Sequence, residues 1–142
     1  MPAIFSDAGL SFMYPENWTI EREEIDSGWL VTLQSPETSF FMFCCRDDCP
    51  TAEELAEEAL HDLQETYPEL EAEPASSAIA GHTAVGNDIR FFLLDLTNTC
   101  CTRAFATPNA TFLVMWQLND LELDQYEQVF RAVVASLKFK GP

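Results

Sequence analysis

Residue by residue, the chain describes an α+β domain: an antiparallel β-sheet flanked by two amphipathic helices and an N-terminal β-hairpin. Three observations support this reading. In 88–118, three runs rich in β-branched and aromatic residues are separated by two turn signals, Thr97-Asn98 and Pro108-Asn109, the pattern of a three-stranded antiparallel meander. Two stretches, 51–67 and the residues after Asn119, carry apolar side chains at helical spacing. The early part of the chain alternates apolar and polar residues between turn signals. With 142 residues, 47% of them hydrophobic, there is material for one core, so we read 1–142 as a single domain.

Taken in order, 10–14 form a short strand that Pro15 stops. The turn Pro15-Glu16-Asn17 leads into the alternating residues 18–22, and the two strands are expected to pair as a hairpin. After Asp26-Ser27-Gly28, the strand 29–34 puts Trp29, Val31 and Leu33 on one face. Beyond Ser35-Pro36-Glu37, the run 39–46 is apolar at almost every position, as a central strand covered on both faces should be. Thr51 then opens a helix. Its hydroxyl can accept from the Glu54 amide while Glu54 reaches back, a capping box. Ala52, Leu55, Ala56, Ala59, Leu60, Leu63 and Tyr67 keep the helical stripe, and Pro68 ends it. Residues 69–77 are polar and extended, an edge strand, and Ala80-Gly81-His82 turns the chain into the meander. After it, 119–124 supply helix-start residues. Tyr126, Val129, Phe130, Val133, Val134 and Leu137 form a stripe running to the terminus. Lys138 and Lys140 lie at its C-terminal end, where the helix dipole favours cations, and Gly141-Pro142 is a tail.

Several of these features, in this order, resemble the Mog/PsbP-like proteins. Gly9-Leu10-Ser11-Phe12 with Tyr14-Pro15-Glu16-Asn17-Trp18 is similar to that superfamily's opening hairpin. The helix 51–67 follows at the expected distance, and Gly81-His82-Thr83-Ala84 looks like its turn before the meander. Arg103-Ala104-Phe105 and Phe112-Leu113-Val114-Met115 look like its last strands, and Ser136-Leu137-Lys138-Phe139 like the end of its terminal helix. The superfamily includes the PsbP subunit of photosystem II, the Ran-binding import factor Mog and bacterial relatives of unassigned function. The resemblance implies a sandwich-like fold and, because its members bind different partners and share no catalytic set, no one activity. A chaperone or adaptor role of the Eag type is one version that it implies.

Composition narrows the function further. Seven Lys+Arg against 24 Asp+Glu leave a net charge of −17. That opposes a nucleic-acid footprint and an anionic membrane surface, and fits a basic or cationic partner, or plain solubility, better. No run approaches the length of a membrane span, and the first residues lack the basic and apolar regions of a secretory signal, so the expected location is cytoplasmic. No P-loop, dinucleotide fingerprint or Gly-x-Ser-x-Gly occurs, and neither His61 nor His82 can be tied to a nucleophile by spacing. We therefore read the chain as a non-enzymatic protein-binding or accessory module without a cofactor. The acidic helix face Glu53, Glu54, Glu57 and Glu58 could receive a basic partner, although a solvated face is the plainer reading. The adjacent Asp47 and Asp48 form an acidic loop tip that could do acid/base work or hold a divalent cation, with solvated carboxylates again the plainer reading. Apolar sheet surface left uncovered would mark a partner site or a homodimer interface. The alternative is a metal or thiol-redox site. Cys44, Cys45, Cys49, Cys100 and Cys101 cluster in two places, and Cys45-x3-Cys49 has ligand spacing. Neighbouring strand residues point to opposite faces, which works against such a site, but a cross-strand contact of Cys44 with Cys100 would restore part of it.

Overall fold

The computed structural model describes residues 2–7 and 9–139. Lys140 and the tail Gly141-Pro142 lie outside the described residues. The elements, in chain order, are β1 (Pro2–Asp7), β2 (Leu10–Pro15), β3 (Thr19–Ile25), β4 (Gly28–Gln34) and β5 (Phe40–Arg46). Then come α1 (Ala52–Thr66), β6 (Glu71–Ile79), β7 (His82–Leu93), β8 (Leu96–Ala106), β9 (Thr111–Asn119), α2 (Leu123–Ala135) and β10 (Lys138–Phe139). Seven strands form one antiparallel sheet in the order β3-β4-β5-β9-β8-β7-β6, and three form a small sheet, β1-β2-β10. The expected α+β architecture is present.

The path explains the order. β3, β4 and β5 make a first meander, and α1 carries the chain across to the far edge. The second meander, β6 to β9, returns and sets β9 against β5. The capping box that starts α1 forms as expected, with the Glu54 amide donating to the Thr51 hydroxyl at 3.0 Å and the Thr51 amide to the Glu54 carboxylate at 2.9 Å. On one face of the large sheet, α1 packs Leu55 and Ala56 against Cys44, Ala104 and Leu113. Its later turns meet Ile89, Phe91 and Cys100. The opposite face is covered by the small sheet together with α2. There the fully buried Phe130 ring lies 5.4 Å from Trp18, 5.9 Å from Trp116 and 6.0 Å from Phe41. This aromatic cluster fixes α2 on the sheet.

Four expectations are corrected. Residues 10–14 and 18–22 do not pair with each other: β2 pairs with β1 and β10, whereas β3 pairs with β4. The opening hairpin is β1–β2. The α2 stripe does not run to the terminus, because the helix ends at Ala135 and Lys138 enters β10 on β2. The first meander turn falls on Leu94 and Asp95, both with positive φ (53° and 64°), not on Thr97-Asn98. Leucine is a poor resident of that conformation, so its side chain gave no turn signal. Finally, β9 lies between β5 and β8, so Cys44 sits opposite Leu113 and cannot meet Cys100. No helix among the described residues is long and apolar enough to cross a membrane.

Candidate functional site

Two recesses flank α2. On one side a groove of about 560 Å³ runs between the helix and the β1–β2 hairpin. Its walls include Met13, Tyr14, Pro15, Val129 and Ala132. Within it the Met13 amide donates to the Ser136 hydroxyl at 2.8 Å, and that hydroxyl donates to the Val133 carbonyl at 2.7 Å, while Glu16 and Asn17 supply polar side chains to the wall. The apolar surface continues outward, because Met13 (44% exposed) lies across the hairpin from Ile4 (69% exposed).

On the other side a cleft of about 780 Å³ opens between α2 and the outer strands β6–β8. Its floor includes Cys101, Trp116 and the buried Arg103. Arg103 donates through Nε to the Ser77 hydroxyl (3.0 Å) and through Nη2 to Asp88 (2.8 Å). Its Nη1 donates to the carbonyls of Thr102 (2.8 Å) and Asn87 (3.2 Å). Arg131 reaches Glu127 across 3.5 Å on the helical wall. Arg90, Arg103 and Arg131 thus face Glu71, Glu73, Asp88 and Glu127, three cations against four acids. The cleft therefore carries no field of one sign for a charged ligand.

The N-terminus of α2 is anchored by a buried carboxylate. Glu122 accepts from the amides of Thr38 and Ser39 (3.1 Å each), the Ser39 hydroxyl (2.8 Å) and the Asn119 side-chain amide (2.9 Å). The Thr38 hydroxyl donates to it as well. Burial pushes this carboxyl up, but the donors of Thr38 and Ser39 more than reverse the effect and hold it below the usual glutamate range.

No protein-family model and no curated protein matches the sequence. Solved structures match the backbone. PsbP of the cyanobacterium Synechocystis sp. PCC 6803 (CyanoP) is similar over 97% of this chain and 92% of its own, with TM-score 0.61 and 14% identity. The chain has a PsbP-like fold. A protein of unknown function from Pseudomonas aeruginosa, PA94, covers 99% of each chain with TM-score 0.59 and 14% identity. LpqN of Mycobacterium tuberculosis, involved in cell envelope biogenesis, is similar over 99% of this chain and 90% of its own, with TM-score 0.62 and 11% identity. At these identities the likeness is one of fold, and no residue role is transferred through it.

The PsbP-like sheet scatters the residues singled out from sequence. Cys44 and Cys100 belong to the cores under α1, Cys45 to the core on the opposite face, Cys101 floors the cleft beneath α2, and Cys49 is exposed in the loop after β5. All five thiols are free. Among the described residues no three His, Cys, Asp or Glu side chains are placed to hold a metal ion. The five cysteines therefore do not make one site, because strand alternation sends neighbours to opposite faces. Burial pushes the Cys44 thiol up, Cys45 and Cys101 up to about 11 and Cys100 up to about 12, the opposite of a reactive thiolate. The acidic patch is exposed, but Glu54 is used by the cap and Glu58 by Arg46, which also binds Asp48. Glu53 and Glu57 face solvent with Asp47. His61 lies 3.2 Å from Glu65 on the outside of α1, and His82 stacks on Phe105 at 5.4 Å, so both serve locally. Sequence reasoning missed Glu122 and Arg103. Arg103 did leave a signal, a lone cation in the apolar strand Cys-Cys-Thr-Arg-Ala-Phe.

Proposed function

We propose that this PsbP-like chain is a non-enzymatic binding module, of chaperone or adaptor type, that docks a protein partner in the groove between the β1–β2 hairpin and α2. The observation that carries this reading is the groove's continuity with exposed Ile4 and Met13. The Met13 amide and the Ser136 hydroxyl are already paired there, so an occupant would gain affinity chiefly by burying apolar surface. The net charge of −17 favours a partner with an apolar anchor flanked by Lys and Arg, and opposes nucleic acid and anionic bilayers. A cytoplasmic location is part of the proposal, supported by five free thiols that suit a reducing compartment.

The test is capture from the native host with wild-type bait and a Met13→Glu/Ala132→Glu double variant. Both positions are exposed, so the added charges should leave folding intact. A discrete partner retained by the wild type and weakened about tenfold or more by the variant supports the reading. A partner held equally by both, no partner, or self-association into a dimer through this face contradicts it.

A further inference from the structure

A second surface, independent of the groove, has the form of a docking element. We propose that the tip of the β7–β8 hairpin inserts into an apolar pocket rimmed by Lys and Arg on a partner protein. The strands beside this hairpin stop short of its end. The β6–β7 register begins at Glu71 opposite Arg90, and the β8–β9 register ends at Asn98 opposite Asn119. Residues 91–97 therefore overhang the sheet as a two-stranded finger. Phe92 is 79% exposed and Leu94 88% exposed on it, with Leu93 also exposed. The Asp120 amide donates to the Thr97 carbonyl at 3.0 Å, which brings the loop carrying the exposed Leu121 beside the finger. Four of the six exposed large hydrophobics among the described residues thus sit at one end of the sheet. A lone surface leucine is ordinary, but such a concentration marks an interaction site.

The finger is also anchored. At its base the buried Phe91 ring stacks on Tyr67 at the end of α1, with centroids 3.9 Å apart. The Asn98 side chain donates to the Leu96 carbonyl at 3.2 Å. At its tip, Leu94 and Asp95 occupy the positive-φ positions of a two-residue turn, where Asn-Gly would fold more easily. A leucine held in that conformation and presented to water is a cost that the fold itself does not require, which points to a use outside it. A finger already paired as two strands has less freedom to lose on insertion than an unpaired loop. The occupant follows from charge. Asp95 at the tip and Asp120 beside Thr97 are both exposed, against Arg90 at the base. An anionic bilayer or a second copy of this chain, with its net charge of −17, would bring like charge to these acids. A basic rim supplies the opposite charge.

The experiment places the photo-reactive residue benzoylphenylalanine at position 92, at position 94 and, as a control, at the exposed Gln64 on the outside of α1, in the cells that make the protein. Both tip positions should form an adduct with the same foreign protein, and the control should not. That protein, purified, should bind the full chain about tenfold or more weakly after Phe92→Ser, and more weakly in about 0.5 M than in about 0.1 M salt. It should bind the Met13→Glu/Ala132→Glu variant normally, which separates this surface from the groove. Leu94→Asn gives a signature that unfolding cannot mimic: Tm should rise, because asparagine suits the turn, while binding weakens. Adducts only with a second copy, flotation with phosphatidylcholine or phosphatidylglycerol vesicles, no adduct above the control, or affinity indifferent to Phe92→Ser would each overturn the proposal.

Discussion

The two flanks of α2 are built from opposite chemistry. In the cleft, the polar side chains are occupied with one another: Arg103 is shared among Ser77, Asp88 and two carbonyls, and Arg131 leans on Glu127. In the groove, apolar side chains face a recess that no described residue fills. The difference teaches that volume alone does not identify a site. The larger recess is held together by its own charges, whereas the smaller one leaves apolar surface without a partner.

The harshest way to break this comparison is to remove what holds both flanks. Phe130→Ala empties the center of the aromatic cluster and should cost about 3–5 kcal/mol, read by urea unfolding. Both recesses would lose their common wall. A loss below about 1 kcal/mol would mean that α2 is held by something other than this core.

Glu122 anchors the same helix by charge. Glu122→Ala strands the donors of Thr38, Ser39 and Asn119 and should cost about 3 kcal/mol. Glu122→Gln adds a pH signature. The folded-state carboxyl titrates below its ordinary value of 4.5, so its stabilisation is complete above that pH. It fades as pH falls through the lower folded-state value. Unfolding free energy of the wild type should therefore fall more steeply with acid than that of Glu122→Gln, and parallel profiles would contradict the depressed carboxyl.

Arg103→Met sharpens the contrast between the flanks. It should cost about 1–2 kcal/mol by leaving carbonyls without a donor, yet leave partner binding at the groove unchanged. A loss of binding larger than the loss of stability would move the site to the cleft.

The smallest effect concerns the thiols. In the native protein Ellman's reagent should react quickly with one of the five, Cys49, and with all five only after denaturation. Fast reaction of Cys101 would show that the cleft floor is open.

Local signals in the sequence reached a defined depth. The capping box at Thr51 and Glu54, the edge character of β6 and the strands β7–β9 of the second meander depend on neighbours in the chain, and they were readable. Pairing across distance was not. Sequential strands usually pair, which made β2 and β3 look like a hairpin, but Pro15-Glu16-Asn17 passes the chain from the small sheet to the large one. Strand alternation separated Cys100 from Cys101, as the structure does, yet nothing local announced that β9 would enter between β5 and β8. Glu122 looked like part of a helix start, because its partners Thr38 and Ser39 lie 84 and 83 residues away.

The most direct measurement is chemical-shift mapping of the captured partner on the isotope-labelled protein. Binding at the groove predicts that the largest perturbations fall on Met13, Tyr14, Val129 and Ala132, and that Cys101, Arg103 and Arg131 stay silent. Perturbations centred on those cleft residues, with the groove silent, would contradict it.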